Sequence, residues 1–86
     1  MVIRHNFPAD YVVGRHIHPE AEEWVIFDKG KFNFFMEDEI LEISDPKKTS
    51  VIYVPHGHAH GIVTLTNASY LVLRSGRDET IFIDEE

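Results

Sequence analysis

Two short stretches decide the fold, Gly14-Arg15-His16-Ile17-His18-Pro19-Glu20-Ala21-Glu22-Glu23 and Pro55-His56-Gly57-His58-Ala59-His60. Together they hold five of the six histidines of an 86-residue chain. On an extended strand, residues two apart share a face about 7 Å apart, so His16 and His18 can both reach one ion at roughly 2.1 Å from their ring nitrogens. Pro19 ends the strand pairing, a short turn reverses the chain, and Glu23 enters the next strand beside the pair as a carboxylate ligand. In the second stretch Pro55 and Gly57 make a tight turn at a strand entrance, and His60 heads the next strand as the fourth possible ligand. His56 and His58 flank this spacing without belonging to it. Both read as exposed turn residues, or else His58, two before His60, lines the mouth of the site as a proton shuttle or supporting partner.

Outward from these clusters, Gly, Pro, Asn and Asp punctuate the chain about every 8 to 12 residues, the rhythm of an all-β sandwich or barrel. The extended candidates are rich in β-branched and aromatic residues: Tyr11 to Val13, Glu23 to Phe27, Lys31 to Met36, Ile40 to Ile43, Val51 to Val54, Ile62 to Thr66, Tyr70 to Arg74 and Ile81 to Ile83. Turns are expected at Asp28-Lys29-Gly30, Glu37-Asp38-Glu39, Ser44-Asp45-Pro46, Asn67-Ala68-Ser69 and Ser75-Gly76. Trp24-Val25-Ile26-Phe27 and Val51-Ile52-Tyr53-Val54 are apolar at every position, which implies strands buried on both faces. The second face belongs either to a homodimer interface, with Trp24, Ile26 and Phe35 as candidates, or to a place between two packed sheets of one subunit.

Composition narrows the function classes. The chain is 43% hydrophobic and carries 15 acidic against 8 basic residues, a net charge of -7. Its basic residues are scattered rather than striped, which excludes a nucleic-acid binder. No apolar run reaches the roughly 18 residues of a membrane span, and Met1 to Phe7 lacks the apolar core of a signal peptide, so a cytoplasmic protein without membrane partners is expected. With no cysteine there are no disulfides and no thiolate ligands. A chain this short forms one domain, residues 1–86, and buries only about 60 to 65% of its unfolded surface, so a metal or a second subunit would add needed stability.

The two clusters resemble the two motifs of the cupin superfamily, G(x)5HxH(x)3,4E(x)6G and G(x)5PxG(x)2H(x)3N. His16, His18, Glu23 and Gly30 match the first; Pro55, Gly57 and His60 match the second. Asp10 and Thr49 stand where the leading glycines belong, and Thr64 replaces the closing Asn. The resemblance spans residues 10–73. It implies an all-β double-stranded β-helix, a jelly-roll barrel, holding one divalent transition metal per chain on His16, His18, Glu23 and His60. Glu22 competes with Glu23 for register, and only Glu23 satisfies both the four-residue spacing behind it and the six residues to Gly30. The ligand set suits Mn, Fe, Ni, Zn or Cu. The expected function is metal-dependent chemistry, of oxygenase or isomerase type, on a small organic substrate, with Glu23 and His58 as candidate catalytic groups. A metal-binding or sugar-like-ligand sensor without turnover is the alternative, and a metal-free epimerase-like cupin using a histidine base is a weaker third reading. Arg74 and Tyr11 are noted as conceivable anchors for an anionic or hydroxylated ligand, and His5 reads as a surface residue.

Overall fold

The computed structural model describes residues 1–44, 50–77 and 79–83. Nine strands run in chain order as β1 (Val2–Phe7), β2 (Val12–Ile17), β3 (Ala21–Lys29), β4 (Phe32–Met36), β5 (Glu39–Ile43), β6 (Ser50–Val54), β7 (His60–Thr64), β8 (Ala68–Gly76) and β9 (Ile81–Phe82). They form two antiparallel sheets, β1-β8-β3-β6 and β5-β4-β7-β2-β9. Among the described residues the sheets face each other without closing into a barrel. The all-β architecture expected from the punctuation, and the jelly roll implied by the resemblance, are therefore present as an open two-sheet sandwich. Asp45 and Pro46, read above as turn positions, and Thr49, read as standing at a motif glycine, lie outside the described residues.

The core sits between the sheets. Val25, Phe27, Tyr70 and Val72 from the four-stranded sheet meet Phe32, Phe34 and Ile62 from the five-stranded one. Phe27 packs on Phe32 at 4.6 Å between ring centroids, a tilted arrangement favoured by the ring quadrupoles. Strict alternation along β3 buries Ala21, Glu23, Val25 and Phe27 while leaving Glu22, Trp24 and Ile26 half-buried on the outer face. The continuous apolar runs therefore do not lie between two sheets of one subunit. Their second face is the outer surface of the four-stranded sheet, where Val2, Val51 and Tyr53 are exposed. Phe35 lies on the outer face of the opposite sheet, beside Gly61 and Val63, so no single flat interface contains Trp24, Ile26 and Phe35 together.

Three local features differ from the sequence expectation. β1 was not anticipated, because Val2 to Phe7 has only three inward side chains, Ile3, His5 and Phe7, and its pairing with β8 is entirely long-range. The Asn67-Ala68-Ser69 and Ser75-Gly76 turns are shorter than expected, because β8 runs unbroken from Ala68 to Gly76 along both β1 and β3. Asp10, standing at a motif glycine, has φ of +62°, the left-handed region that Asp tolerates better than most residues, and its N–H donates to the Thr64 carbonyl at 2.9 Å. Thr64 itself is fully buried, its hydroxyl donating to the Pro8 carbonyl at 2.6 Å and accepting from the Tyr11 N–H at 2.8 Å. A threonine thus ties down the loop between β1 and β2.

Candidate metal centre

A bulge in β2 aims the first histidines. Val13 faces Ile62 and His16 faces His60, so two residues of β2, Gly14 and Arg15, oppose the single Gly61 of β7. Val13 points into the sandwich with its partner Ile62, and simple alternation from Val13 would turn Arg15 inward and His16 outward. The extra residue reverses this phase. His16 and His18 enter the interior, buried to 9% and 2% exposure, while Arg15 turns outward and donates to the Glu37 carbonyl at 3.2 Å. Gly57, with φ of +76°, donates its N–H to the His18 carbonyl at 2.9 Å and so joins the second stretch to the first. His60 then opens β7 inside the sandwich at 3% exposure, and Glu23, also 3% exposed, reaches the same point from β3. Glu22, its register competitor, faces outward and accepts a hydrogen bond from the Tyr53 hydroxyl at 2.7 Å.

One ring nitrogen of each of His16, His18 and His60 lies within 4.8 Å of those of the other two. The other side of each ring is committed. Nδ1 of His16 donates to the Gly14 carbonyl at 2.7 Å, Nδ1 of His18 to the Glu79 carbonyl at 2.9 Å, and Nδ1 of His60 to the His58 carbonyl at 3.0 Å. A carbonyl only accepts, so in a neutral ring the proton is on Nδ1 and the lone pair is on Nε2. Burial and the neighbouring His60 and His18 rings outweigh the Gly14 hydrogen bond and push His16 down to about 4, so it is neutral near pH 7.

Nε2 of His18 and of His60 are buried without a hydrogen-bond partner, yet lie 3.1 and 2.9 Å from the two carboxylate oxygens of Glu23. Burial would push the Glu23 carboxyl up, but its contacts with His18, His60 and Arg74 prevail and hold it well below the usual carboxylate range. Against a ring nitrogen that carries a lone pair, an anionic oxygen at such distances is repulsive; a proton on that nitrogen or a bound cation makes the contact favourable. The three imidazoles form a group that could hold a divalent transition ion, and the Glu23 carboxylate adjoins two of them, His18 and His60.

Sequence reasoning noted Arg74 only as a conceivable ligand anchor and read His5 as a surface residue; the structure sets both at the cavity. Arg74 is the cross-strand partner of Glu23 and sets its Nε and Nη2 at 2.8 and 2.6 Å from Glu23 Oε1. The alternation Tyr70, Val72, Arg74 placed these three on one face, but only the pairing of β8 with β3 put that face against Glu23. His5 is half-buried and lines the same cavity, beside Tyr70 at 5.0 Å between ring centroids, rather than lying on the surface. Tyr11 also lines the cavity. The His58 side chain does not; His58 serves the site through its carbonyl, and His56 is exposed. The cavity holds about 300 Å³ and is open at one end. Phe82 of β9 pairs with His16 and sets its ring 5.4 Å from the imidazole at that opening.

No protein-family model and no curated protein matches the sequence. Solved structures do. KdgF from Halomonas sp. superposes with a TM-score of 0.81 at 24% identity, over 92% of this chain and 70% of that one. A Mycobacterium tuberculosis rmlC epimerase superposes with a TM-score of 0.79 at 21% identity, over 92% of this chain and 46% of the epimerase. Bacillus subtilis oxalate decarboxylase, a protein with Mn(II) centres, superposes with a TM-score of 0.76 at 21% identity, over 95% of this chain and 23% of the decarboxylase. The chain thus corresponds to less than half of the latter two proteins. The chain has the cupin fold, and its buried His16, His18 and His60 form a group that could hold a metal ion.

Proposed function

We propose that this cupin binds one divalent transition metal through His16, His18, Glu23 and His60 and acts on a small organic substrate, by chemistry of oxygenase or isomerase type. The observation that carries the proposal is the pair of buried, unpartnered Nε2 atoms held against the Glu23 carboxylate, an arrangement that a cation makes favourable. When bound, the metal supplies Lewis-acid polarisation and an open coordination position. The chain's own residues do the rest. The Gly14, Glu79 and His58 carbonyls hold the three rings in one tautomer. Arg74 fixes the rotamer of Glu23 and balances its charge. The apolar walls Val25, Phe34, Ile62 and Val72 limit water in the cavity.

The alternative, a ligand-binding module without turnover, is supported by economy: the described strands use most of the chain and leave short loops for substrate recognition. We further propose a homodimer built on the outer face of the four-stranded sheet, where Val2, Trp24, Val51 and Tyr53 lie close together.

Elemental analysis of protein purified without an affinity tag tests the metal reading. About one transition metal per chain is expected. A metal-free sample that also fails to take up added Mn, Fe, Ni or Zn overturns it. Turnover of a small carbonyl or enol compound by the metal-loaded protein, lost on removing the metal, separates enzyme from binding module.

A further inference from the structure

We infer that residues 79–83 form a strap across the mouth of the cavity, with the Glu79 carbonyl as the positioning group for His18, so that docking of the strap and binding of the metal reinforce each other. This rests on the metal reading above. The first argument is where each ring finds its Nδ1–H acceptor. His16 and His60 donate to the Gly14 and His58 carbonyls, each two residues earlier in the chain, so their orientation is set locally. His18 instead donates to the Glu79 carbonyl at 2.9 Å, 61 residues away, with the Thr80 hydroxyl oxygen 3.4 Å from the same nitrogen. At His18, then, the tautomer that leaves Nε2 able to face a cation is fixed by a segment that has to dock.

The second argument is what the strap covers and how lightly it is held. After β8 the chain leaves the four-stranded sheet, its Arg77 N–H donating to the Glu20 carbonyl at 3.2 Å, and joins the edge of the five-stranded sheet as β9. It thereby bridges the two sheets at the open end of the cavity, where Thr80 and Phe82 are lining residues and the Phe82 ring lies 5.4 Å from that of His16. Two of the three histidines thus meet the strap. Among the described residues, β9 pairs with β2 alone, through Ile81 and Phe82, and the Ile83 N–H donates to the Arg15 carbonyl at 2.9 Å. Ile81 and Phe82 are 44% and 65% exposed, so little apolar burial opposes lifting. A segment with so few buried contacts opens locally at far lower cost than the sheets unfold. Lifting it frees the His18 Nδ1–H and uncovers His16 in one event. Conversely, an imidazole whose Nε2 is held by a cation is a stronger Nδ1–H donor, which tightens its bond to Glu79. The coupling is reciprocal: docking strengthens metal binding by the same factor as metal strengthens docking.

The test uses the full-length protein, metal-free and loaded with Zn(II), or with Mn, Fe or Ni if it takes up no Zn(II). Hydrogen exchange at the Ile83 amide reads opening of the strap, and the imidazole Nδ1–H resonance of His18 in the metal-free protein reads its bond to Glu79. Ile83 is expected to exchange faster than Val25 in the centre of β3, and bound metal to slow it by about five- to 150-fold. Ile83→Pro removes the N–H that pins the strap to the Arg15 carbonyl and lies outside the four proposed ligands. It should weaken metal binding by about the same factor, and it should lose the His18 Nδ1–H resonance while keeping that of His60. Equal exchange at Ile83 in the two states of the wild type, exchange at Ile83 no faster than at Val25, or a folded Ile83→Pro with wild-type metal affinity overturns the proposal and leaves the metal reading standing. Should Ile83→Pro fail to fold, exchange in the wild type decides it. A wild type that takes up none of the four metals shows this before any exchange is measured; it overturns the metal reading and, with it, this proposal.

Discussion

Replacing His60 by Ala tests whether the three-histidine centre is a stability device as well as a chemical one. In the metal-free protein the change removes a ring that is 3% exposed, stacks near Phe34 at 6.1 Å and donates Nδ1–H to the His58 carbonyl. Loss of the hydrogen bond costs about 1 kcal/mol. Large-to-Ala truncations cost about 2 to 5 kcal/mol, and the low end applies because His60 borders an existing cavity. Relief of the contact between His60 Nε2 and Glu23 Oε2 at 2.9 Å offsets part of this. The net is about 2 kcal/mol, or roughly 8 to 16 °C in Tm for a domain of this size. Metal then separates the two proteins. At a free metal concentration a hundredfold above Kd, the wild type gains about 2.7 kcal/mol, roughly 10 to 20 °C, whereas a hundredfold weaker variant gains only about 0.4 kcal/mol. Calorimetric melts of both proteins, with added Zn or Mn and again with a chelator, read these shifts directly. A variant that keeps the wild-type metal-dependent shift and metal content would refute the ligand assignment, whatever its basal stability.

Three further outcomes are expected. His16 is held neutral down to about pH 4 in the fold but titrates near 6.5 when unfolded, so its stabilising effect is complete above pH 6.5 and is lost as the pH falls toward 4; melts of the metal-free protein should show this decline, and His16→Asn should flatten it. Gly57→Ala puts a Cβ into open space at φ of +76°, so it should cost only about 1 to 2 kcal/mol, leave metal content unchanged, and lower Tm by several degrees; loss of the metal would show that the turn does more than its conformation implies. Trp24→Glu, on the outer face of the four-stranded sheet, should convert a dimer to a monomer by light scattering while Phe35→Glu, on the opposite face, should not; a monomeric wild type removes the dimer proposal.

The spacing of His16, His18, Glu23 and His60 was legible along the chain because strand geometry and metal-ligand reach are local constraints, and residues two apart on a strand share a face wherever that strand lies. The turn residues and apolar runs likewise announced an all-β sandwich. What local pattern could not supply was phase and partnership. The β2 bulge, marked in the sequence only by Gly14, turns His16 inward when alternation from Val13 would have turned it out. Arg74 meets Glu23 because β8 pairs with β3, and His5 enters the cavity because β1 pairs with β8, contacts between residues more than fifty positions apart. Chain order thus named the residues proposed to hold a cation, since that choice depends on side-chain chemistry and short spacing. Only the packing of distant strands decided the cation's surroundings and the walls a ligand must fit, because those depend on which sheet edges pair.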